Sequence, residues 1–361
     1  MLKFIHAADF HLDSPFAALP PGQARERRRE SRELLFRLAD YANANGVQLL
    51  LLAGDLFDSA VPYQETGEAL AAAFGRIRAQ IFAAPGNHDW YGPSSPWRTV
   101  DWPENVHIFQ ENRMTAVEFP SLVLHGAAFT GPDQGEGLLT GFTAPADGRV
   151  HIGLLHGELE PAEARYNPIR REEITASGLT YLALGHTHKR CPPQTFGRTV
   201  CAWPGCPEGR GFDELGEKGF YEGIIDDSGS VSLTFVPFAR RRYEILDVDV
   251  TGQNPREALE AALPQNTETD LYRIRLKGEC GGADAKALET ALSGRFYALE
   301  VRDHTRVTSD IWARAGEDSL RGLFLRELRR QWDTAEDGPQ RERITQAVRF
   351  GLAALDRRDL D

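Results

Sequence analysis

Apolar residues gather into short runs between polar, turn-forming stretches, and their spacing changes along the chain. Up to about residue 240 the runs LKFIHAAD, VQLLLLAGD, QIFAAPGNHD, VHIGLLHG and TYLALGHTH recur, each closing on Gly, Asp, Asn or His. Near-continuous apolar runs of this length read as strands buried on both faces. Between the early runs the period lengthens: in RERRRESRELLFRLADYANAN, Leu34, Leu35, Leu38 and Tyr41 fall at helical spacing. Strands alternating with helices predict an α/β domain with its functional groups at the carboxyl ends of the strands. FGRTVCAWPG, GFYEGIIDD and SVSLTFVPF follow without long helices, which predicts more antiparallel pairing there.

The run Arg240, Arg241, Arg242 marks a boundary. Beyond it YEILDVDV, DLYRIRLKG and FYALEVRDH read as strands, with helices over NPREALEAAL and ADAKALETALSG. The expected organisation is a domain over residues 1–240, a small α/β module over 243–310 and a helical segment over 315–361. In the last, Leu320, Leu323, Phe324, Leu328 and Trp332 share one face; Ile344, Ala347, Val348, Gly351, Leu352 and Leu355 share another. Such faces suit either docking on a partner's helices or packing on the protein itself.

A length of 361 residues, with 41% hydrophobic and 26% charged, is that of a globular chain of two or three domains. No apolar run approaches the roughly 20 residues that span a bilayer. Asp9, His11 and Asp13 interrupt the first apolar run too early for a secretory leader, so a cytoplasmic location is expected. Cys191, Cys201, Cys206 and Cys280 lack paired zinc-site spacing and read as reduced thiols. A formal net charge of −12 means that any polyanion site must be local.

The chemistry concentrates at the ends of the strand-like runs. One ends in Asp9-x-His11, the next in Gly54-Asp55-x-x-Asp58, and the third in Gly86-Asn87-His88-Asp89. Two later ones end in His156-Gly157 and Gly185-His186-x-His188. In an extended segment, residues i and i+2 point the same way, so Asp9 with His11, and His186 with His188, are expected to reach one point. Asp55 can bridge two cations with its two oxygens, and Asn87 adds a neutral oxygen. An oxygen and imidazole set without thiolate suits Mn²⁺, Fe²⁺ or Zn²⁺. Singly, each motif is more often a turn or a surface pair; five strand ends in ligand-type residues are not.

In this order the five motifs resemble the full signature of the calcineurin-like metallophosphoesterases, over roughly residues 1–240. HAADFHLDSP, LLAGDLFD and ELGEKGFY resemble its DNA-repair exonuclease branch, the SbcD and YhaO-like proteins. The resemblance implies an α/β fold, the four-layer α/β/β/α sandwich, with a small α/β capping domain and a helical C-terminal segment. It implies two divalent metal ions, with Mn²⁺ expected. One would be held by Asp9, His11, Asp55 and His188, the other by Asp55, Asn87, His156 and His186. His88 would face the scissile phosphate, with Asp89 orienting it. The sequence departs from the pattern at Asp58, where some nucleases of the family carry histidine. An ionised carboxylate cannot donate to phosphate, which weakens Asp58 as a substrate contact. Lys189 and Arg190, directly after the ligand pair, are the expected phosphate contacts.

The resemblance thus implies a manganese-dependent DNA nuclease acting with an SbcC-type coiled-coil ATPase, with homodimerisation left open. A phosphodiesterase or phosphatase acting on small phosphoesters is the alternative enzyme. A non-catalytic scaffold that regulates an ATPase is the alternative of another kind. His6 and His151, inside strand-like runs, read as hydrogen-bonded core histidines; Arg25, Arg27, Arg28 and Arg29, interleaved with Glu26 and Glu30, read as a solvated helix face.

Overall fold

Alternate side chains of the apolar strands enter different cores, and this alternation builds the layers. In the computed structural model Phe4 of β1 (Leu2–Ala7) lies in one core while Ile5 and Ala7 lie in another. Helix α1 (Pro21–Ala44) leads to β2 (Leu49–Leu52), where Leu49 and Leu51 take the first core and Leu50 and Leu52 the second. The structure describes residues 1–161, 163, 165–280, 283–306 and 311–355. The ends of the expected 243–310 module and 315–361 segment, residues 307–310 and 356–361, lie outside the described residues.

The chain then runs through α2 (Gln64–Phe74), β3 (Gln80–Ala83), the short α3 (Pro96–Thr99), β4 (Val106–Ile108), β5 (Thr115–Glu118), β6 (Leu122–Gly126) and β7 (Val150–His156). After the two-residue strands β8 (Glu158–Leu159) and β9 (Pro168–Ile169) come α4 (Arg171–Ala176), β10 (Tyr181–Gly185), β11 (Cys191–Phe196), β12 (Thr199–Trp203), β13 (Gly219–Ile225) and β14 (Val231–Pro237). Two six-stranded sheets result, in the orders β14-β13-β1-β2-β3-β4 and β11-β12-β10-β7-β6-β5. Strands β1 to β4 pair in parallel, as do β6, β7, β10 and β12, whereas β13, β14, β11 and β5 pair antiparallel.

Phe4, Leu49, Leu51 and Phe82 of the first sheet pack against Leu124, Ile152, Leu154 and Tyr181 of the second. The outer face of the first sheet is covered by Leu34, Leu35, Leu38 and Leu70 from α1 and α2. That of the second is covered by Ile174 of α4 with Leu138 and Leu179. The layers are therefore helix, sheet, sheet, helix, each buried leucine contributing roughly 1.5–3 kcal/mol. The carboxyl ends of β1, β2, β3, β7 and β10 deliver all five ligand-bearing motifs.

Contacts divide the chain into two units, Met1–Arg240 and Arg241–Asp361. In the second, β15 (Tyr243–Asp249), β16 (Leu271–Lys277) and β17 (Ala298–Asp303) form a parallel sheet. Helices α5 (Pro255–Ala262) and α6 (Ala285–Leu292) bring Leu259, Leu288 and Leu292 onto its Val248, Ile274 and Val301. Helices α7 (Leu320–Asp333) and α8 (Gly338–Leu355) bury Leu325, Val348 and Leu352 with Ile311. Gly351 leaves room for the Phe324 ring, which any Cβ there would strike. The packed stripe of α7 is thus centred on Leu325, and Leu320 and Leu323, expected on the apolar face, stay exposed with Phe350 of α8. Among the described residues, no helix is long and apolar enough to cross a membrane.

Candidate metal centre

The ligand-type residues do not continue their strands. Strand β1 stops at Ala7, and Asp9 (φ 56°) and His11 (φ 44°) both adopt the left-handed conformation, as does Asp55 (φ 52°) beyond β2. His186, the first residue after β10, has φ 90°. The expectation that Asp9 and His11 converge as alternate residues of an extended segment is therefore corrected: two tight left-handed steps turn them together. Such conformations cost about 1–3 kcal/mol each in non-glycine residues and persist only where their surroundings enforce them. Here the segment after β1 runs beside that after β2, with Asp9 N donating to Gly54 O (3.0 Å), His11 N to Asp55 O (3.0 Å) and Leu12 N to Leu56 O (2.8 Å). Gly54 (φ 86°) is required twice over, since a Cβ there would also run into the His156 ring.

Three groups of possible donors result among the described residues, one of them His11 with Asp58 and His88 at the rim; the other two take up the expected ligands. Asp9, His11 and His188 offer one set of donor atoms within 4.8 Å of one another, and Asp55, His156 and His186 offer a second. Asn87 joins the second, its Oδ1 3.0 Å from His156 Nε2 and 3.1 Å from His186 Nδ1. Asp55 Oδ2 lies between the groups, 3.3 Å from His156 Nε2 and 3.7 Å from His11 Nε2. The structure thus brings all seven expected ligands together.

The hydrogen bonds behind the rings decide what the centre can hold. His188 Nδ1 donates to Glu214 Oε1 (2.7 Å), and His11 Nδ1 faces Asp58 Oδ1 (3.2 Å). With its proton on Nδ1, His188 presents a bare Nε2 lone pair, 3.0 Å from His11 Nε2. His156 Nδ1 donates to Ala53 O (2.8 Å), which turns its Nε2 to Asn87 Oδ1 (3.0 Å), His186 Nδ1 (3.2 Å) and Asp55 Oδ2 (3.3 Å). Carboxylate, carboxamide and imidazole donor atoms gathered at this range, without thiolate, make a donor set that fits two divalent metal ions.

The electrostatics agree. Burial pushes the Asp9 carboxyl up from its ordinary pKa, and burial pushes the His11 imidazole down. Burial also lowers His186, to about 3, with the neighbouring His156 adding to it. Burial disfavours a charged His156 as well, but the Asp55 charge and hydrogen bond outweigh it and raise that imidazole to about 9. Asp55, despite its own burial, is held well below the usual carboxylate range by His156. A proton on His156 thus occupies the electrostatic place of a cation.

The remaining expected site residues divide. His88 is exposed at the same rim, its backbone amide donating to Asp55 Oδ1 (2.9 Å) and its ring centroid 4.8 Å from that of His11. The expected orienting role of Asp89 is corrected: its wholly buried carboxylate accepts from the amides of Gly86 (2.8 Å), Leu56 (2.8 Å), Asp55 (3.3 Å) and Phe57 (3.3 Å). His88 Nδ1 instead lies 3.0 Å from the Asp58 carbonyl oxygen. The Asp58 carboxylate accepts from Ser14 Oγ (2.9 Å) and Arg210 Nη1 (3.1 Å), so it faces the centre's own residues. Lys189 and Arg190 are both exposed, and Arg190 rests on the Phe235 ring, 4.0 Å from its centroid. His6 and His151 are buried and hydrogen-bonded, to Tyr181 and Leu184 and to His125 and Asp147 respectively.

Arg210 and Glu214 escape a reading of the motifs alone. Their signal is ELGEKGFY, whose first residue is Glu214, but its contact with His188 joins the β12–β13 loop to the turn after β10.

A family model described as calcineurin-like phosphoesterase matches residues 2–190. The chain is 33% identical over 290 residues to an uncharacterized metallophosphoesterase, YhaO of Bacillus subtilis, covering 77% of this chain and 69% of that protein. It is 24% identical over 356 residues to the DNA double-strand break repair protein Mre11 of Methanopyrus kandleri, covering 91% of this chain and 77% of the relative. It is 34% identical over 110 residues to the SbcD component of the SbcCD nuclease of Rhodobacter capsulatus, 29% of this chain and 24% of that one.

Proposed function

The chain belongs to the calcineurin-like phosphoesterase family, and from that premise we propose that its substrate is DNA, cleaved at phosphodiester bonds with the help of two divalent cations, Mn²⁺ by preference. The observation that carries the choice of DNA is the reach of the match to the Mre11 repair protein. It extends over 91% of the chain and so includes residues well beyond the phosphoesterase signature. A signature shared with every phosphoesterase says nothing of substrate; relatedness that continues into the second unit supports this reading.

When bound, the cations would neutralise phosphoryl oxygens and supply a water made acidic enough to attack at neutral pH. Asp9, His11, Asp55 and His188 would hold one, and Asp55, Asn87, His156 and His186 the other. Asn87 adds an oxygen without charge, so that a phosphodiester still finds a net positive centre. His88 donates its Nδ1 proton to the Asp58 carbonyl, which fixes the ring and leaves Nε2 free toward solvent. A protonated ring in that position can donate from Nε2 to the leaving oxygen. Lys189 and Arg190, exposed beside His188, suit the neighbouring phosphates.

The partner in this reading is an SbcC-type coiled-coil ATPase docked on α7 and α8. The exposure of Leu320 (71%), Leu323 (58%) and Phe350 (57%) supports it, since such side chains gain by burial against another helix. The decisive experiment measures Mn²⁺-dependent release of nucleotides from linear DNA by the wild-type protein and by His88→Ala. Release that the substitution abolishes is expected. Hydrolysis confined to small phosphoesters would make the protein a phosphodiesterase of another substrate class, and failure to take up metal would leave it a scaffold.

A further inference from the structure

Behind the metal-facing edge of His11 and His188 lies a charged unit without an obvious place in the hydrolysis. Arg210 sends Nη1 to Asp58 Oδ1 (3.1 Å) and Ser14 Oγ (3.3 Å), and Nη2 to Glu214 Oε1 (2.8 Å). Its backbone amide donates to the other Glu214 oxygen (2.8 Å). One guanidinium therefore joins two carboxylates. Each carboxylate faces the rear nitrogen of a different histidine: Asp58 that of His11, Glu214 that of His188. Arg210 Nη2 also lies 2.9 Å from His188 Nδ1, but the carboxylate oxygen of Glu214 is nearer (2.7 Å) and can only accept, which places the imidazole proton toward Glu214.

The loop that carries the unit is itself held. Arg27, wholly buried on α1, donates to Glu208 Oε1 (2.7 Å) and Gly209 O (3.0 Å), immediately before Arg210. Cys206 N and Lys218 Nζ donate to the carbonyl of His188 (3.2 and 3.3 Å). The β12–β13 loop thus grips His188 at both its backbone and its ring. Glu214 is buried, which would raise its pKa, yet hydrogen bonds from His188 and Arg210 hold the carboxyl far below its ordinary range.

We propose that Glu214 and Arg210 are positioning residues of the metal centre: Glu214 fixes His188 in the tautomer that turns a bare Nε2 to the cation, and Arg210 locks Glu214 and Asp58 so that both histidines are set together. The proposal rests on the metal-centre reading above and assigns these residues no contact with substrate. Carboxylates behind metal-binding histidines typically contribute 10- to 100-fold to affinity, about the size expected here.

The test is Mn²⁺ binding by calorimetry on the full-length protein, with side-chain ¹⁵N spectra of the metal-free protein reporting the His188 tautomer. In Glu214→Ala one of two Mn²⁺ ions should bind about 10- to 100-fold more weakly while the other is unchanged, and the Nδ1–H tautomer of His188 should be lost. Glu214→Gln keeps an acceptor oxygen and should recover most of the affinity; Arg210→Ala should weaken the same ion, with both carboxylates still present. Wild-type protein that takes up no Mn²⁺ overturns the metal-centre reading and this proposal together. Wild-type protein that binds two ions, with E214A and R210A binding both as tightly, overturns the proposal alone. Should E214A not fold, R210A against wild type decides: unchanged affinity and tautomer overturn it.

Discussion

The imidazole of His88 is held by the backbone of Asp58, with Nδ1 3.0 Å from the carbonyl oxygen, while the Asp58 carboxylate turns toward His11, Ser14 and Arg210. One residue therefore serves two histidines by two different groups, and substitution of its side chain separates them. Asp58→Ala should leave His88 in place and weaken Mn²⁺ binding about 10- to 100-fold, a defect that added Mn²⁺ repairs. His88→Ala should bind Mn²⁺ as wild type does and lower kcat about 10²- to 10⁴-fold, a defect that Mn²⁺ does not repair. Initial rates against Mn²⁺ concentration on a chromogenic phosphodiester distinguish the two without assuming DNA as substrate.

Asp89 yields a prediction about stability. Its carboxylate collects the amides of Gly86, Asp55, Leu56 and Phe57, and so ties the turn after β3 to the turn after β2. Burial, with the Asp55 charge adding to it, raises this carboxyl to about 6. Asp89→Ala leaves buried donors without an acceptor and should cost about 3 kcal/mol in urea unfolding of the metal-free protein. Asp89→Asn should also destabilise, because its amide group must face other donors. Unchanged stability with a reduced kcat would return Asp89 to the orienting role that its neighbourhood in sequence suggests.

What the chain discloses by itself depends on how far apart the interacting groups lie along it. Five apolar runs ending in ligand-type residues are local patterns, and they carry both the doubly covered sheets and the seven expected ligands. Backbone conformation at those ligands is not local in the same sense. Asp9-x-His11 reads equally well as an extended pair, and only the hydrogen bonds to Gly54, Asp55 and Leu56 hold it left-handed. Asp89 illustrates the converse error, since adjacency to His88 suggests a pairing that the buried amides of a distant turn outbid. Glu214 shows a third case: the residue stands in a recognisable motif, but its partner His188 lies on the other side of two strands.

Arg27 gives the same lesson in energetic form. It sits in an arginine run interleaved with glutamates, the pattern of a solvated helix face, yet its guanidinium is wholly buried and pairs with Glu30 (2.8 Å) and Glu208 (2.7 Å). Arg28, one position on, reaches the Pro15 carbonyl and remains half-buried. Removing one side of a buried pair is far costlier than removing both, because the remaining charge stays desolvated. Arg27→Met should therefore destabilise by about 3–5 kcal/mol, and adding Glu208→Gln should recover part of that loss. Urea unfolding of the single and double variants measures it; a double variant less stable than the sum of the singles would refute the pairing.

The last prediction concerns acid. His6, on β1 in the core, accepts from Tyr181 Oη at Nδ1 (2.7 Å) and donates from Nε2 to Leu184 O (3.1 Å), so the neutral ring is satisfied on both sides. Burial lowers its pKa from 6.5 to about 3, the hydrogen bond to Leu184 opposing the shift only in part. Below pH 6.5 the unfolded chain takes up a proton that the folded protein refuses. The contribution of His6 to stability is therefore complete above pH 6.5 and is lost as the pH falls toward 3, at up to about 1.4 kcal/mol per pH unit. Glutamine at this position can make both hydrogen bonds without titrating. Stability measured in urea between pH 7.5 and 5 should thus fall less steeply for His6→Gln than for wild type. Equal slopes would mean that the core admits the proton, and that the Tyr181 hydroxyl turns to accept from a charged ring.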